Sequence, residues 1–296
     1  MAINLSDHFV IEGGVPLRGT VQPAGNKNAA LPALAACWLT DEPVTLRNMP
    51  AIQDVETMGT LLERIGVRVE RPDPNTWVLT ADGLNGLVSD QMTPDLFRAI
   101  RGSILMAGPL LGRRGRFAIP APGGDVIGRR RVDTHFLAFH AMGATVEIRD
   151  GRFHVEAAHL KGADILLDEA SVTGTENALM AAVLAEGTTI IRNAASEPHV
   201  QDLCRLLKSM GAAISGIGTN TLRIEGVPAL HGADYAIGSD HIEVGSYIAL
   251  AAATGGEITI RDAVPSNLRM ILQTFERLGI HTEMRGDDLF VPSTQA

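Results

Sequence analysis

One phrase, used four times, constrains this chain more than any other feature. LLERIGVRVE (61–70), AFHAMGATVEI (138–148), LLKSMGAAISG (206–216) and TFERLGIHTEM (274–284) each run from the end of an amphipathic helix through a glycine into alternating, strand-like residues. Glycine closes helices in a left-handed conformation, so Gly66, Gly143, Gly211 and Gly279 mark four equivalent helix ends. They are spaced 77, 68 and 68 residues apart. The surroundings repeat as well. Upstream lies a helix of small apolar residues (29–39, 102–112, 177–187, 245–256), and a short strand follows it (43–48, 115–120, 187–193, 256–262). Next come a turn, the amphipathic helix and two further strands, so each copy reads β-α-β-α-β-β, an α/β pattern. The upstream helix is apolar nearly all round, which predicts burial on every side. Copies of this kind cannot cover their own faces and must pack as a set.

Composition limits the partners. With 45% hydrophobic and 20% charged residues over 296 positions, the chain can bury a substantial core. A net charge of −9 argues against a nucleic-acid binder. Basic charge is nonetheless local: Arg98 to Arg131 holds eight arginines and one acid, +7, which leaves −16 for the rest. A basic island in an acidic chain suits a small anionic ligand. Cys37 and Cys204 lie far apart in apolar helical patterns and read as buried thiols. The nine histidines show no metal-ligand spacing, so no metal is expected. The N-terminal residues lack a charged-then-apolar leader and no apolar run reaches about 18 residues, so a soluble protein of a reducing, cytoplasmic compartment is expected, with no membrane partner.

The second copy is nine residues longer than its neighbours, and the excess lies between its short strand and its second helix, in Pro120–Arg131, PAPGGDVIGRRR. Gly123, Gly124 and Gly128 allow positive φ and free backbone amides, as an anion-cradling loop needs. Arg129, Arg130 and Arg131 add forked donors suited to carboxylate or phosphate. Asp125 at the tip is either a general acid whose pKa a closing, drying lid would raise, or a turn aspartate in a solvated basic loop. Lys27 stands at the start of the first apolar helix, an end that already favours anions, which makes sense if lysine and helix end face one anion together. Arg101 opens the corresponding helix of the second copy, Ser171-Val172-Thr173 that of the third, and Ser239 to Glu243 that of the fourth. Repeat geometry should gather these ends on one face. Simple capping accounts equally well for Ser171 or Ser239 but not for Lys27 and Arg101.

The segments GNKNAALPALAA, RAIRGSILMAGPLLGR, PGGDVIGRRRVDTH and SVTGTENALMAAVLAEGTTIIRNAASEP, together with the repeated unit, resemble the enolpyruvyl transferase family along essentially the whole chain. The resemblance implies two similar domains, each an inside-out α/β barrel (an α/β prism) of three βαβαββ units. Residues 27–238 would be one complete three-unit domain carrying the lid 120–131, and residues 1–26 with 239–296 would be one unit of a partial first domain. It implies transfer of the enolpyruvyl group from phosphoenolpyruvate to the 3′-hydroxyl of UDP-N-acetylglucosamine, the first committed step of peptidoglycan synthesis, with no cofactor. The alternatives are a truncated paralogue that binds the nucleotide sugar without turnover, and a 3-phosphoshikimate transferase; the latter branch lacks the PGGDVIGRR lid. By the same resemblance Lys27 and Asn28 contact phosphoenolpyruvate, Arg101 binds ligand, and Arg130 contacts both substrates. Val132, Asp133 and Thr134, preceded by Arg131 where the family usually has proline, and Ser171, Val172 and Thr173 contact the nucleotide sugar. Asp125 takes the place of the usual cysteine proton donor, which makes Asp125, Lys27 and Arg130 the catalytic set and implies insensitivity to fosfomycin. The family's proposed base aspartate and later arginines fall in a final third that this sequence does not include.

Overall fold

The computed structural model describes residues 8, 10–82, 94–124, 128 and 131–295. The chain divides into two compact units, Lys27–Ile237 and Met1–Asn26 with Gly238–Ala296. Strand β1 (Arg18–Val21) belongs to the smaller unit. The larger unit then holds three copies of the repeat. The first is α1 (Lys27–Ala36), β2 (Val44–Arg47), α2 (Gln53–Arg64), β3 (Arg68–Asp73) and β4 (Thr76–Thr80). The second is α3 (Pro94–Ala99), α4 (Ala107–Arg114), β5 (Arg116–Pro120), α5 (Asp133–Ala141), β6 (Thr145–Arg149) and β7 (Arg152–Glu156). The third is β8 (Asp164–Leu166), α6 (Val172–Ala182), β9 (Thr188–Arg192), α7 (Pro198–Ser209), β10 (Ala213–Ser215) and β11 (Thr221–Glu225). After β12 (Ala233–Ala236), the smaller unit closes with α8 (His241–Thr254), β13 (Glu257–Ile260), α9 (Arg269–Arg277), β14 (Glu283–Arg285) and β15 (Asp288–Val291).

Each copy builds one sheet: β12-β2-β4-β3, β5-β7-β6, β10-β11-β9-β8 and β1-β13-β15-β14. Within a copy the strands pair antiparallel, and a leading strand joins three of the sheets in parallel. The third copy supplies its own leader, β8, in register Asp164↔Ile190. The first and fourth exchange theirs. β1 precedes α1 in sequence but pairs with β13, and β12 precedes α8 but pairs with β2. This exchange is why the smaller unit combines both ends of the described chain.

The docking of a leading strand uses one device twice. Arg192 at the end of β9 forks onto Asp164 of β8 (2.7 and 2.8 Å), and Arg47 at the end of β2 forks onto Asp234 of β12 (2.7 and 2.6 Å). The next residue is an asparagine at positive φ, Asn193 or Asn48. Its amide donates to the carbonyl just past the leader, Leu167 (3.0 Å) or Ile237 (2.9 Å). Asp262, also at positive φ, receives Gln22 just past β1 (2.8 Å). The second copy has Pro120 and Ala121 at this turn and continues into the long insertion.

Helices α1 and α6 are buried along nearly their whole length. Gly66, Gly143, Gly211 and Gly279 all have positive φ, as the helix-end reading requires. Two expectations fail. The apolar helix of the second copy is not one α-helix but a 3₁₀ segment, Arg101–Met106, followed by α4. The cause is Asn177 of α6. Gly108 N donates to Asn177 Oδ1 (2.6 Å) and Asn177 Nδ2 donates to the Ile104 carbonyl (3.0 Å), so this amide replaces the 108→104 bond of a regular helix. Only glycine tolerates the approach, since a Cβ at Gly108 would stand 2.4 Å from the Asn177 carbonyl oxygen. Second, α8 is not buried on every side. Only Val244, Ile248 and Ala251 are buried, while Ile242 and Leu250 are 55% and 44% exposed, because one sheet and two helices offer a single covering face.

Candidate active site

Three helix starts of the larger unit converge on a cavity of about 380 Å³. Lys27 and Asn28 come from α1, Arg101 from the 3₁₀ segment, and Val172, Thr173 and Glu176 from α6; Gly124, Asp54 and His199 also line it. The N-termini of α1 and α6 bring the positive ends of two helix dipoles, and Lys27 and Arg101 add formal charge. Lys27 Nζ rests 2.9 Å from Asp54 Oδ2, with both side chains partly exposed, so the ion pair is open to exchange for a stronger anion. A larger hollow of about 600 Å³ lies against β5-β7-β6 and is lined by Arg114 and Arg116 of the basic island, but by none of the expected substrate-binding residues.

The remaining residues singled out divide into a flank and a lid. On the flank, the Arg131 guanidinium is occupied by carboxylates: Nε lies 2.9 and 3.0 Å from the two Asp133 oxygens, and Nη2 lies 2.5 Å from Asp133 and 2.6 Å from Asp168. These bonds raise the Arg131 pKa and hold Asp133 below the usual carboxylate range. Asp168 is held low by the Thr134 hydroxyl (2.8 Å) and then by Arg131. Thr134 is buried, and Val132 precedes α5 without a side-chain cap. Arg101 Nη2 donates to the Arg131 carbonyl (3.1 Å), joining this flank to the cavity. Ser171 caps α6, its Oγ accepting from Gly174 N at 3.1 Å. The cap of α8 is Asp240 rather than Ser239, since its carboxylate accepts from the amides of Ile242 and Glu243.

At the lid, the expectation of free glycine amides is corrected. Gly123 N donates to the Phe97 carbonyl (3.3 Å) and Gly124 N to that of Arg98 (2.9 Å). The backbones lie so close that a Cβ at Gly123 would stand 1.9 Å from the Arg98 oxygen. The glycines therefore fasten the base of the insertion. Asp125, Arg129 and Arg130 lie outside the described residues.

Glu176, Asn177 and His135 carry no role in the expectations drawn from sequence. Glu176 is fully buried; its Oε1 has no hydrogen-bond partner among the described residues, and desolvation, reinforced by Glu197, raises its pKa well above the usual value. His135 is buried between Asn177 Nδ2 (2.8 Å from Nδ1) and Thr173 Oγ1 (3.2 Å from Nε2). Burial and then the charge of Arg101 lower its pKa to about 4. The signal was present: Glu176-Asn177 is a polar pair inside a helix otherwise apolar on all faces, and such a pair must be used. Cys37 and Cys204 are buried and unpaired, with Cys204 pushed up to about 12 by desolvation. Among the described residues no group of metal-binding side chains is assembled, and no helix is long and apolar enough to cross a membrane.

Comparison with known proteins adds independent information. The profile of the EPSP synthase (3-phosphoshikimate 1-carboxyvinyltransferase) family matches residues 11–295. Proteins named UDP-N-acetylglucosamine 1-carboxyvinyltransferase are similar throughout. The one from Treponema denticola is 51% identical over 97% of this chain and 66% of its own length. That from Bradyrhizobium diazoefficiens is 52% identical with the same coverage. The chain thus spans about two thirds of the length of the curated relatives it matches. Among solved structures, the enolpyruvyl transferase NikO from Streptomyces tendae superposes with a TM-score of 0.81 at 23% identity, covering 95% of this chain and 67% of that one. EPSP synthase from Acinetobacter baumannii gives 0.76 at 17%, covering 95% of this chain and 66% of that one. At those identities the two structures speak for the α/β fold alone.

Proposed function

The chain belongs to the EPSP synthase family, and from that premise we propose that it serves the transfer of the enolpyruvyl group from phosphoenolpyruvate to the 3′-hydroxyl of UDP-N-acetylglucosamine, with release of phosphate, in peptidoglycan synthesis in the cytoplasm. The observation that carries this reading is about 50% identity, over 97% of the chain, to proteins named for that acceptor. The cavity supports it. Phosphoenolpyruvate is a carboxylate and a phosphate, the nucleotide sugar carries a diphosphate, and Lys27, Arg101 and two helix N-termini supply the opposing charge. In this reading the larger unit is a three-copy inside-out prism and the smaller unit one copy of a second. Lys27 and Asn28 hold phosphoenolpyruvate, Arg130 contacts both substrates, Arg101 binds ligand, and the segments 131–134 and 171–173 hold the nucleotide sugar. In the addition, the acceptor hydroxyl gives its proton to a general base and its oxygen bonds to C2 of phosphoenolpyruvate as a proton from the acid reaches C3. Loss of phosphate from C2 and of a proton from C3 then restores the vinyl group. Asp125 is the acid that gives C3 its proton, which accounts for a carboxyl group on the lid.

A second, alternative reading is a nucleotide-sugar binder without turnover. Phosphate release by the 296-residue chain, with UDP-N-acetylglucosamine or shikimate 3-phosphate as acceptor, separates the readings. Release only with the nucleotide sugar supports transfer. Binding of the sugar without release supports the second reading, and release with shikimate 3-phosphate overturns both. Asp125→Asn should lower release at least about a hundredfold and leave binding intact. The same carboxylate, a weak nucleophile toward epoxides, should take no fosfomycin adduct by mass spectrometry; an adduct on Asp125 would refute that expectation.

A further inference from the structure

We propose that His135 and Asn177 are positioning residues that fix the hydroxyl of Thr173 as a hydrogen-bond donor to the anion in the cavity. The hydrogen-bond network begins at the backbone. Gly108 N–H can only donate, so the Asn177 atom 2.6 Å away is the oxygen. The Ile104 carbonyl can only accept, so the Asn177 atom 3.0 Å from it is the nitrogen. The orientation of the amide is therefore set by two main-chain groups. The second N–H of the same nitrogen meets His135 Nδ1 at 2.8 Å, and that contact is a hydrogen bond only if Nδ1 carries no proton. Neutral His135 then holds its proton on Nε2 and donates it to Thr173 Oγ1 at 3.2 Å.

Thr173 is left with its own hydroxyl proton and no other protein partner among the described residues. It stands in the first turn of α6 and lines the cavity with Lys27 and Arg101. A hydroxyl that receives a bond from His135 and lines a cavity with two cations is set to donate to an anionic oxygen. The same buried amide interrupts the helical ladder between Gly108 and Ile104. The 3₁₀ segment that opens on Arg101 and the donor set of Thr173 thus share one cause. The assignment rests on the anionic ligands proposed above.

The test uses the whole chain. Long-range proton–nitrogen correlation of the imidazoles reports the His135 tautomer in the folded protein, and the Nε2–H form is expected. An Nδ1–H form overturns the proposal whatever the protein binds. In calorimetric titrations with UDP-N-acetylglucosamine, Thr173→Val should weaken binding about tenfold to about a hundredfold, as expected for a lost bond to a charged group. Thr173→Ser should recover most of the loss. His135→Phe should match Thr173→Val, and the double variant should lose no more than either alone, with thermal melts confirming that each is folded. Unchanged affinity in Thr173→Val, with tight binding by the parent, sinks the donor role and leaves the proposed function standing. Binding of inorganic pyrophosphate but not of the nucleotide sugar removes the acceptor reading, and the Thr173→Val comparison is then decisive on pyrophosphate. Binding of neither ligand overturns the donor role outright.

Discussion

Two buried ionisable residues at the site pull stability in opposite directions with pH. His135 has its pKa lowered from 6.5 to about 4, so between those values the unfolded chain binds a proton that the folded chain does not. Its contribution is present above 6.5 and is lost as pH falls toward 4, by up to about 3 kcal/mol. Glu176 behaves inversely. Its folded pKa lies well above 4.5, so above 4.5 the unfolded chain has released a proton that the folded chain retains. Stability is then greatest below 4.5 and falls as pH rises toward the folded value. Across 4.5 to 6.5 the two slopes partly cancel, and single variants expose what the parent profile conceals. Glu176→Gln should match the parent near pH 4.5 and exceed it increasingly toward neutrality, read as urea midpoints across pH. Parallel profiles for the two proteins would mean that Glu176 ionises in the folded state.

At the scale of elements, Asn177 is a more sensitive point than any apolar neighbour. Asn177→Ala strands Gly108 N–H and His135 Nδ1 in a dry interior, while the Ile104 carbonyl keeps the Ala107 N–H. At about 1–3 kcal/mol per abandoned buried group, the loss should reach about 2 kcal/mol or more by chemical denaturation. A cost below about 1 kcal/mol would show that the helix closes its own ladder once the amide is gone. Much at this scale was legible beforehand. The helix-end glycines, the short strands and the all-apolar helices stand in the repeat itself, because period and punctuation are local properties. The strand exchange was not legible, since β1 and β12 are short and nothing local to either names its partner. The β12 pairing is held by Arg47-Asn48, and the same Arg-Asn pair recurs as Arg192-Asn193, which receives the third copy's own leader β8. Of the site, Lys27 and Arg101 were legible as cations misplaced at helix starts. Arg131 was misleading in kind: charge is visible in sequence, but the carboxylates that occupy it, one of them Asp168 in a different copy, are not.

At the scale of the molecule, the two units differ in how much core they possess. The larger draws its buried cluster from Ala29 to Ile237, around Trp38, Trp77, Phe97 and Phe139. The smaller buries nine hydrophobic residues among those described, from Val244 to Val291, and no residue of α9 is buried. Hydrophobic burial must offset backbone entropy of about 1–2 kcal/mol per ordered residue, and nine apolar side chains at about 1.5–3 kcal/mol each offset only a short stretch of chain. Opening should therefore begin in the smaller unit. In hydrogen exchange on the whole chain, amides of α8 and β13 should exchange faster than those of α1 and α6 by a factor that mild denaturant reduces. Ile248→Ala should speed exchange in α8 and β13 and leave the slowest amides of α6 unchanged, because Ile248 belongs to the smaller cluster and α6 to the larger. If α6 accelerates in step with α8, the chain opens as one cooperative body, and the stability of the cavity at the helix starts is set by the smaller unit as well. If it does not, the cavity of Lys27, Arg101 and Thr173 persists while the smaller unit opens and closes, and ligand affinity should be insensitive to Ile248→Ala.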